Sequence, residues 1–306
     1  MPMKSIMFLG QSEYQKVDII ETWFGKTLVT DGKTQSAKVD EHMYHEALVH
    51  PALLKVKNCK SVFIGGGGEL ATAREVLKHS SVERVVMCDL DKVVVEMCQK
   101  WLPEWGDGAS EDPRLDLIFG DAHAWMMNTN EMFDAIIMDI SDPIEAGPGI
   151  KLYTQEFYRH AATRLNSGGV FVTQAGVAEP VILATEHSNT CWGAINRTLD
   201  SVFDCAIPYY AQVLSFGGKW GYVIAFNQTE ESHCEYTADQ ESHGWRKPKE
   251  GIIDGLIEEK ITGGESALRF YEEDAHLGMT CLAKCVRISL ETDDRLMTME
   301  NPIFMY

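Results

Sequence analysis

The sequence predicts an α/β fold, a doubly wound parallel sheet preceded by a small N-terminal β-domain. Three observations carry this. Short β-prone runs open the chain, and a strand runs into four consecutive glycines at 65–68 before a helix and a second strand. Apolar strands then alternate with helical segments as far as Phe226.

The N-terminal elements come from residues 5–35. Within them, 14–20 and 26–30 are strand-like and Asp31-Gly32 is a turn signal, so residues 1–50 are expected to form the β-hairpin domain and 51–306 the doubly wound domain. Residues 61–64 give the next strand, 71–79 a helix and 84–89 another strand. This is a βαβ unit, whose crossover is right-handed. Further strands are predicted at 115–119, 133–139, 169–174, 203–208 and 221–226, with helices over 154–165 and 185–202. Residues 227–248 are polar and aperiodic and read as a surface insertion, after which helical periodicity returns at 252–261 and 280–290. There is no internal repeat.

A chain of 306 residues buries a sizeable core, and 45% hydrophobic with 24% charged residues is an ordinary globular balance. No run approaches the ~18 apolar residues of a membrane span, and the N-terminus lacks an apolar signal core, so a cytoplasmic protein is expected. The eight cysteines lack zinc-site or disulfide-scaffold spacing, and Cys281 and Cys285 are explained by one helical face. A net charge of −19 argues against nucleic acid and favours cationic ligands.

The glycine run lets the backbone turn tightly and approach a ligand, with Gly66, Gly67 and Gly68 as its central members, although a plain strand-to-helix turn would look similar. Asp89, about twenty residues on and ending a strand, is placed to accept ribose hydroxyls, while Asp91 faces away as a helix cap. Asp121, followed by Ala122, offers an acceptor for an adenine amino group or simply a helix N-cap. No basic residue sits in the glycine turn to meet a pyrophosphate, which favours an adenosine ligand of the S-adenosylmethionine kind over a dinucleotide. At the end of the fourth strand, Asp139 and Asp142 flank a turn fixed by Pro143. They can attract an ammonium, take its proton and orient the amine, or merely cap the turn.

The stretches Gln35–Glu41, Tyr44–Pro51, Gly66-Gly67-Gly68-Glu69 and Asp139–Pro143, taken in order, resemble the aminopropyltransferases. The similarity runs from about Tyr14 to Phe226 and more loosely to the end. It implies a Rossmann-like core of the S-adenosylmethionine-methyltransferase type behind an N-terminal β-domain. It also implies decarboxylated S-adenosylmethionine as co-substrate, held by Gln15, Gln35, His45, Gly66, Gly67, Gly68, Glu69, Asp89, Asp121 and Ala122, with Glu69 at the aminopropyl ammonium. Asp139 would be the general base, Asp142 a polyamine anchor, and Tyr44, Gln174 and Tyr210 would line the acceptor channel with His45 beside it. Neither a metal nor a prosthetic group is implied, and a homodimer or homotetramer is expected.

The resemblance has one departure. The family turn closes with glycine after its acidic residue, whereas this chain has Leu70 there and an extra glycine, Gly65, before the run. The stretches 144–154 and 216–222 look more like thermospermine synthase than a putrescine-specific spermidine synthase, which makes spermidine the expected acceptor and putrescine the alternative. Trp220 and Tyr222 read as sheet-packing aromatics, although an aromatic face near a polyamine ammonium would also bind it. Two remoter readings are a methyltransferase, which Glu69 disfavours by repelling the donor's α-carboxylate, and an inactive polyamine-binding homologue.

Overall fold

The computed structural model describes residues 3–145, 147–179, 190–227 and 243–305. The chain opens with a four-stranded antiparallel sheet in the order β1 (Ser5–Gln11), β2 (Lys16–Thr22), β3 (Gly25–Thr30) and β4 (Lys33–Ala37). Asp31 and Gly32, at φ 48° and 79°, make the two-residue turn between β3 and β4 that their sequence signals.

The central sheet has seven strands: β5 (Ser61–Gly66), β6 (Arg84–Asp89), β7 (Leu115–Phe119), β8 (Phe133–Asp139), β9 (Leu165–Val177), β10 (Cys205–Val213) and β11 (Gly218–Phe226). Their order is β10-β11-β9-β8-β5-β6-β7. Strands β9, β8, β5, β6 and β7 are parallel neighbours, and Val62, Phe63, Ile64 and Ile136 are fully buried between helical layers. The last two strands depart from the predicted parallel sheet. β10 and β11 pair antiparallel with each other, and β11 pairs antiparallel with β9, because residues 214–217 form a hairpin turn too short for a crossover.

Helices cover both faces: α1 (Glu41–Lys55), α2 (Ala71–Leu77), α3 (Lys92–Trp101), α4 (Pro103–Gly106), α5 (Ala122–Asn128), α6 (Gln155–Ala162), α7 (Trp192–Asp200), α8 (His243–Arg246), α9 (Ile252–Lys260), α10 (Glu273–Thr280) and α11 (Lys284–Thr292). One core lies beneath α1, α2 and α9, and the other beneath α5, α6, α7 and α11. A third, smaller core joins the two sheets, with Val17, Ile19 and Leu28 packing on Val94, Cys98, Leu102 and Trp105. There the Trp105 indole N–H donates to Ser36 Oγ at 2.6 Å.

Two further sequence expectations are revised, and two fall partly on residues that are not described. Helix α1 runs through residue 50, where the N-terminal domain was expected to end, and packs on α2 and the central sheet. Residues 228–242 of the 227–248 insertion, and residues 185–189 of the helix expected at 185–202, lie outside the described residues. The helix expected over 280–290 is split. α10 stops at Thr280 and α11 starts at Lys284, so Cys281 and Cys285 occupy different local structures rather than one helical face.

Candidate active site

The glycine turn sets the centre of the site. Gly66 and Gly67 have φ of 80° and 77°, and a Cβ on Gly66 would stand 2.1 Å from the Asp139 carbonyl oxygen. Only glycine fits there, because the turn must pass against the end of β8. The Gly67 N–H donates to that same carbonyl at 2.9 Å, and the Leu70 N–H closes the turn on Gly67 O at 2.7 Å. Leu70 is itself left-handed at φ 71°, a conformation that favours glycine over a residue with a side chain; it is 2% exposed and lies in the core. The turn leaves Glu69 facing Asp139.

Asp139, at the end of β8, is held by two hydroxyls. Tyr44 donates to Oδ1 at 2.7 Å and Thr72 to Oδ2 at 2.5 Å. Burial, and then repulsion from Glu69, push its carboxyl above the usual range, against the opposing pull of His45 and the two hydroxyls. His45 Nε2 stands 3.1 Å from Glu69 Oε1, and Nδ1 stands 3.2 Å from Glu41 Oε2. Burial disfavours the imidazolium, yet the two carboxylates outweigh it and raise the pKa to about 10. One nitrogen of His45 and carboxylate oxygens of Glu69 and Asp139 lie within 4.8 Å of one another, close enough to suggest a metal site. The contacts of His45 Nε2 with Glu69 and of Nδ1 with Glu41 account for this grouping as a hydrogen-bonded chain.

Asp89 ends β6 beside Gly68 and accepts the Asp91 N–H at 2.8 Å; burial raises its pKa to about 7. Asp91 is the N-cap of α3, as expected. It does not face away, however, because its second oxygen accepts Ser12 Oγ at 2.6 Å and Gln15 Nε2 at 3.0 Å, tying the N-terminal sheet to the nucleotide side of the cleft. Asp121 caps α5 through the amides of His123 and Ala124 and still borders the cleft with Ala122.

Gln174, on β9, is buried rather than solvated. Its amide nitrogen donates to Ile140 O and Tyr153 Oη, both at 2.7 Å, and to Asp142 Oδ1 at 3.3 Å. Its oxygen accepts the Gly176 N–H at 2.8 Å and the Trp220 indole N–H at 3.1 Å. Burial raises Asp142 to about 6, against the pull of Gln174 and Lys33.

These groups border two adjoining chambers. The first, about 260 Å³, lies among Tyr44, Asp142, Gln174, Ser215, Phe216 and Trp220. The second, about 230 Å³, lies among Gln15, the glycines, Asp89, Asp91, Asp121 and Ala122. Lys33, Gln35, Glu69, Asp139 and Asp142 border both, so the glycine turn and the end of β8 form the wall where two ligands would meet.

The model of the spermine/spermidine synthase domain matches residues 41–236. The chain belongs to this family. It is 40% identical over 304 residues to polyamine aminopropyltransferase 2 of Hyperthermus butylicus, covering 99% of this chain and 92% of that one. It is 38% identical over 306 residues to thermospermine synthase ACAULIS5 of Arabidopsis thaliana, covering 99% and 83%. Among solved structures, a spermidine synthase bound to the transition-state analogue AdoDATO matches with a TM-score of 0.79 at 29% identity, covering 96% of this chain and 90% of that one. The spermidine synthase of Thermotoga maritima matches with a TM-score of 0.76 at 27% identity, covering 95% and 89%.

Within this synthase-family cleft the structure brings together every residue singled out in the sequence except two. His45 lies behind Glu69 and touches the cleft through it. Tyr210 lies outside both chambers. Strand alternation turns Tyr209 towards α1, where its hydroxyl donates to Ala47 O, and turns Tyr210 to the opposite face beneath Lys219 Nζ, 4.4 Å from its ring centroid. Sequence reasoning missed Thr72 and Lys33, whereas Tyr153, Phe216 and Trp220 lie in the 144–154 and 216–222 stretches tied to substrate choice, with no role there for each side chain. Thr72 follows the glycine turn by one helical step and was open to inference from position. Lys33 reaches both chambers from the start of β4 and carries no local signal of its own. Among the described residues, no helix is long and apolar enough to cross a membrane.

Proposed function

We propose that the chain moves the aminopropyl group of decarboxylated S-adenosylmethionine to spermidine, giving thermospermine and methylthioadenosine. The observation that carries this reading is Asp139 in the wall shared by two chambers, one with adenosine-binding chemistry and one lined by carboxylate, amide and aromatic groups. The donor takes the second chamber, with its ribose hydroxyls on Asp89, its adenine amino group near Asp121 and its ammonium on Glu69. The acceptor lies in the first, between Asp139 and Asp142.

In this reading an acceptor ammonium gives a proton to Asp139, and the freed nitrogen pair attacks the aminopropyl carbon bound to sulfur. The C–S bond breaks, its electrons neutralise the sulfonium, and methylthioadenosine departs as the new secondary ammonium forms. Tyr44 and Thr72 hold the base in line, which is the positioning that an in-line displacement requires. Asp139→Asn should lower kcat by about 10²–10⁴-fold with little change in donor KM, measured by single-turnover kinetics.

Spermidine is favoured as acceptor by the 144–154 and 216–222 stretches and by the likeness to a thermospermine synthase. Incubation with the donor and either putrescine or spermidine, with products separated against isomer standards, tests it. Thermospermine from spermidine supports the reading, spermidine from putrescine moves the assignment to spermidine synthase, and no product overturns aminopropyl transfer. The open edge of β1, with Ile6 50% and Leu9 58% exposed, supports pairing between copies of the chain; a monomer mass by light scattering would overturn that.

A further inference from the structure

His45 sits between acceptors on both sides. Nδ1 is 2.6 Å from the Glu41 carbonyl oxygen and 3.2 Å from Glu41 Oε2, while Nε2 is 3.1 Å from Glu69 Oε1. None of these oxygens carries a proton to give when the carboxylates are ionised, so each ring nitrogen must be N–H and the ring is an imidazolium. Glu41 does not reach either chamber. It is anchored from behind by Arg74, whose Nη2 is 2.9 Å from Oε2 and whose own position is fixed by Glu75 Oε1 at 2.7 Å and the Trp105 carbonyl at 2.7 Å. Glu75 is in turn held by His50 at 3.0 Å and Lys78 at 2.8 Å. A run of buried ion pairs thus leads from the core of α1 and α2 to the wall between the chambers.

We propose that Glu41 is a positioning residue of the donor site: anchored by Arg74, it holds His45 as a cation, and that cation keeps Glu69 and Asp139 ionised together at the junction of the two chambers. The use made of the ionised pair rests on the aminopropyl-transfer reading, whereas the relay itself rests on geometry alone. The charged groups around His45 are Glu41 on its own helix, Glu69 from the glycine turn and Asp139 from β8. Arg74 from α2, and Arg269 at 3.8 Å from Glu41 Oε1, act through Glu41. Without a positive charge among them, the oxygens of Glu69 and Asp139, within 4.8 Å of one another, would repel and push the already raised Asp139 carboxyl further towards its protonated form. Glu69 could not then accept the donor's ammonium and leave Asp139 free as base. The His45 pKa of about 10, raised against burial, and the Glu41 pKa of about 2, lowered against burial, agree with a charged pair.

The test has two arms on the full-length protein. In the first, ¹⁵N-detected histidine NMR, with His45 assigned by the signal lost in His45→Gln, should show an imidazolium persisting to about pH 9, and Glu41→Gln should lower its titration by about three to four pH units, so that the ring is at least half neutral at pH 7. In the second, Glu41→Gln should raise donor KM about tenfold at pH 7 with kcat changed less, move the acid limb of kcat/KM upward by about one pH unit, and approach wild type at pH 9. Glu41→Asp, which keeps the charge, should restore most of the loss. A wild-type His45 that titrates near its ordinary value, or a Glu41→Gln profile parallel to wild type at every pH, overturns the proposal. A wild-type protein that forms no product while His45 stays charged overturns the aminopropyl-transfer reading and leaves the relay standing.

Discussion

Leu70 shows how one residue can carry two opposing demands. Its backbone is left-handed at φ 71°, which costs a side-chain-bearing residue about 1–2 kcal/mol, yet its buried side chain fills space beside Gly106 and the first core. Truncating a buried leucine costs about 2–5 kcal/mol, so packing outweighs the strain and leucine is tolerated in a conformation that favours glycine. Leu70→Ala should therefore destabilise by about 2–4 kcal/mol, whereas Leu70→Gly, relieved of the strain, should be about 1 kcal/mol more stable than the alanine variant. This reverses the usual order of alanine and glycine, and urea denaturation of the two variants would reveal it. The sequence marked Leu70 as out of place, but its φ and burial had to be seen before a sign could be attached.

At the scale of elements, legibility followed periodicity. The central parallel strands announce themselves as short apolar runs ended by glycine or aspartate, and all were located within a few residues. Helix α1 was not, because it is buried on nearly every side from Tyr44 to Leu54 and so has no polar face to create a helical pattern. It nevertheless supplies Tyr44, His45 and Glu41. Strand β9 carries an irregularity that no alternation rule anticipates. Between Trp220↔Val177 and Tyr222↔Gln174 it has one more residue than β11, with Gly176 at φ 74°, and this brings the Trp220 indole onto the Gln174 amide oxygen. Trp220→Ala should then raise acceptor KM about tenfold while donor KM stays within about twofold, as the loss of an aromatic wall beside an ammonium implies. Tyr210→Phe, on the far face of β10, should leave both unchanged. Steady-state kinetics with each substrate varied in turn would separate the two outcomes.

For the molecule as a whole, the cleft stores charge that the folded state resists. Burial raises Asp89 to about 7 and Asp142 to about 6, so each carboxylate is less acidic folded than unfolded, and stability falls as pH rises through those values. Glu41, lowered to about 2, acts the other way and loses its contribution as pH falls below the ordinary carboxylate range. His45, raised to about 10, contributes below its ordinary value and loses that contribution as pH rises towards 10. Asp89→Asn removes one of the strained charges while its side-chain oxygen can still accept the Asp91 N–H. At pH 8 it should stabilise the protein by about 1–2 kcal/mol and weaken donor binding; the stability gain should shrink as pH falls and vanish only at about pH 3, where the carboxyl is protonated in folded and unfolded chains alike. Thermal unfolding at the two pH values checks the sign.

The sequence by itself determined the α/β class, the order of the parallel strands' motifs, the family, and the carboxylates at strand ends. These depend on local patterns: apolar runs, glycine turns and capping residues lie within a few positions of one another. Only the tertiary structure decided that β10 and β11 run antiparallel, that Tyr210 faces away, and that Gln174 is a buried hub. It alone decided that Glu41, His45, Glu69 and Arg74 form one ion-paired line. Each of these turns on which faces of distant segments meet, and on electrostatics that burial multiplies, and neither is written in the spacing of residues along the chain.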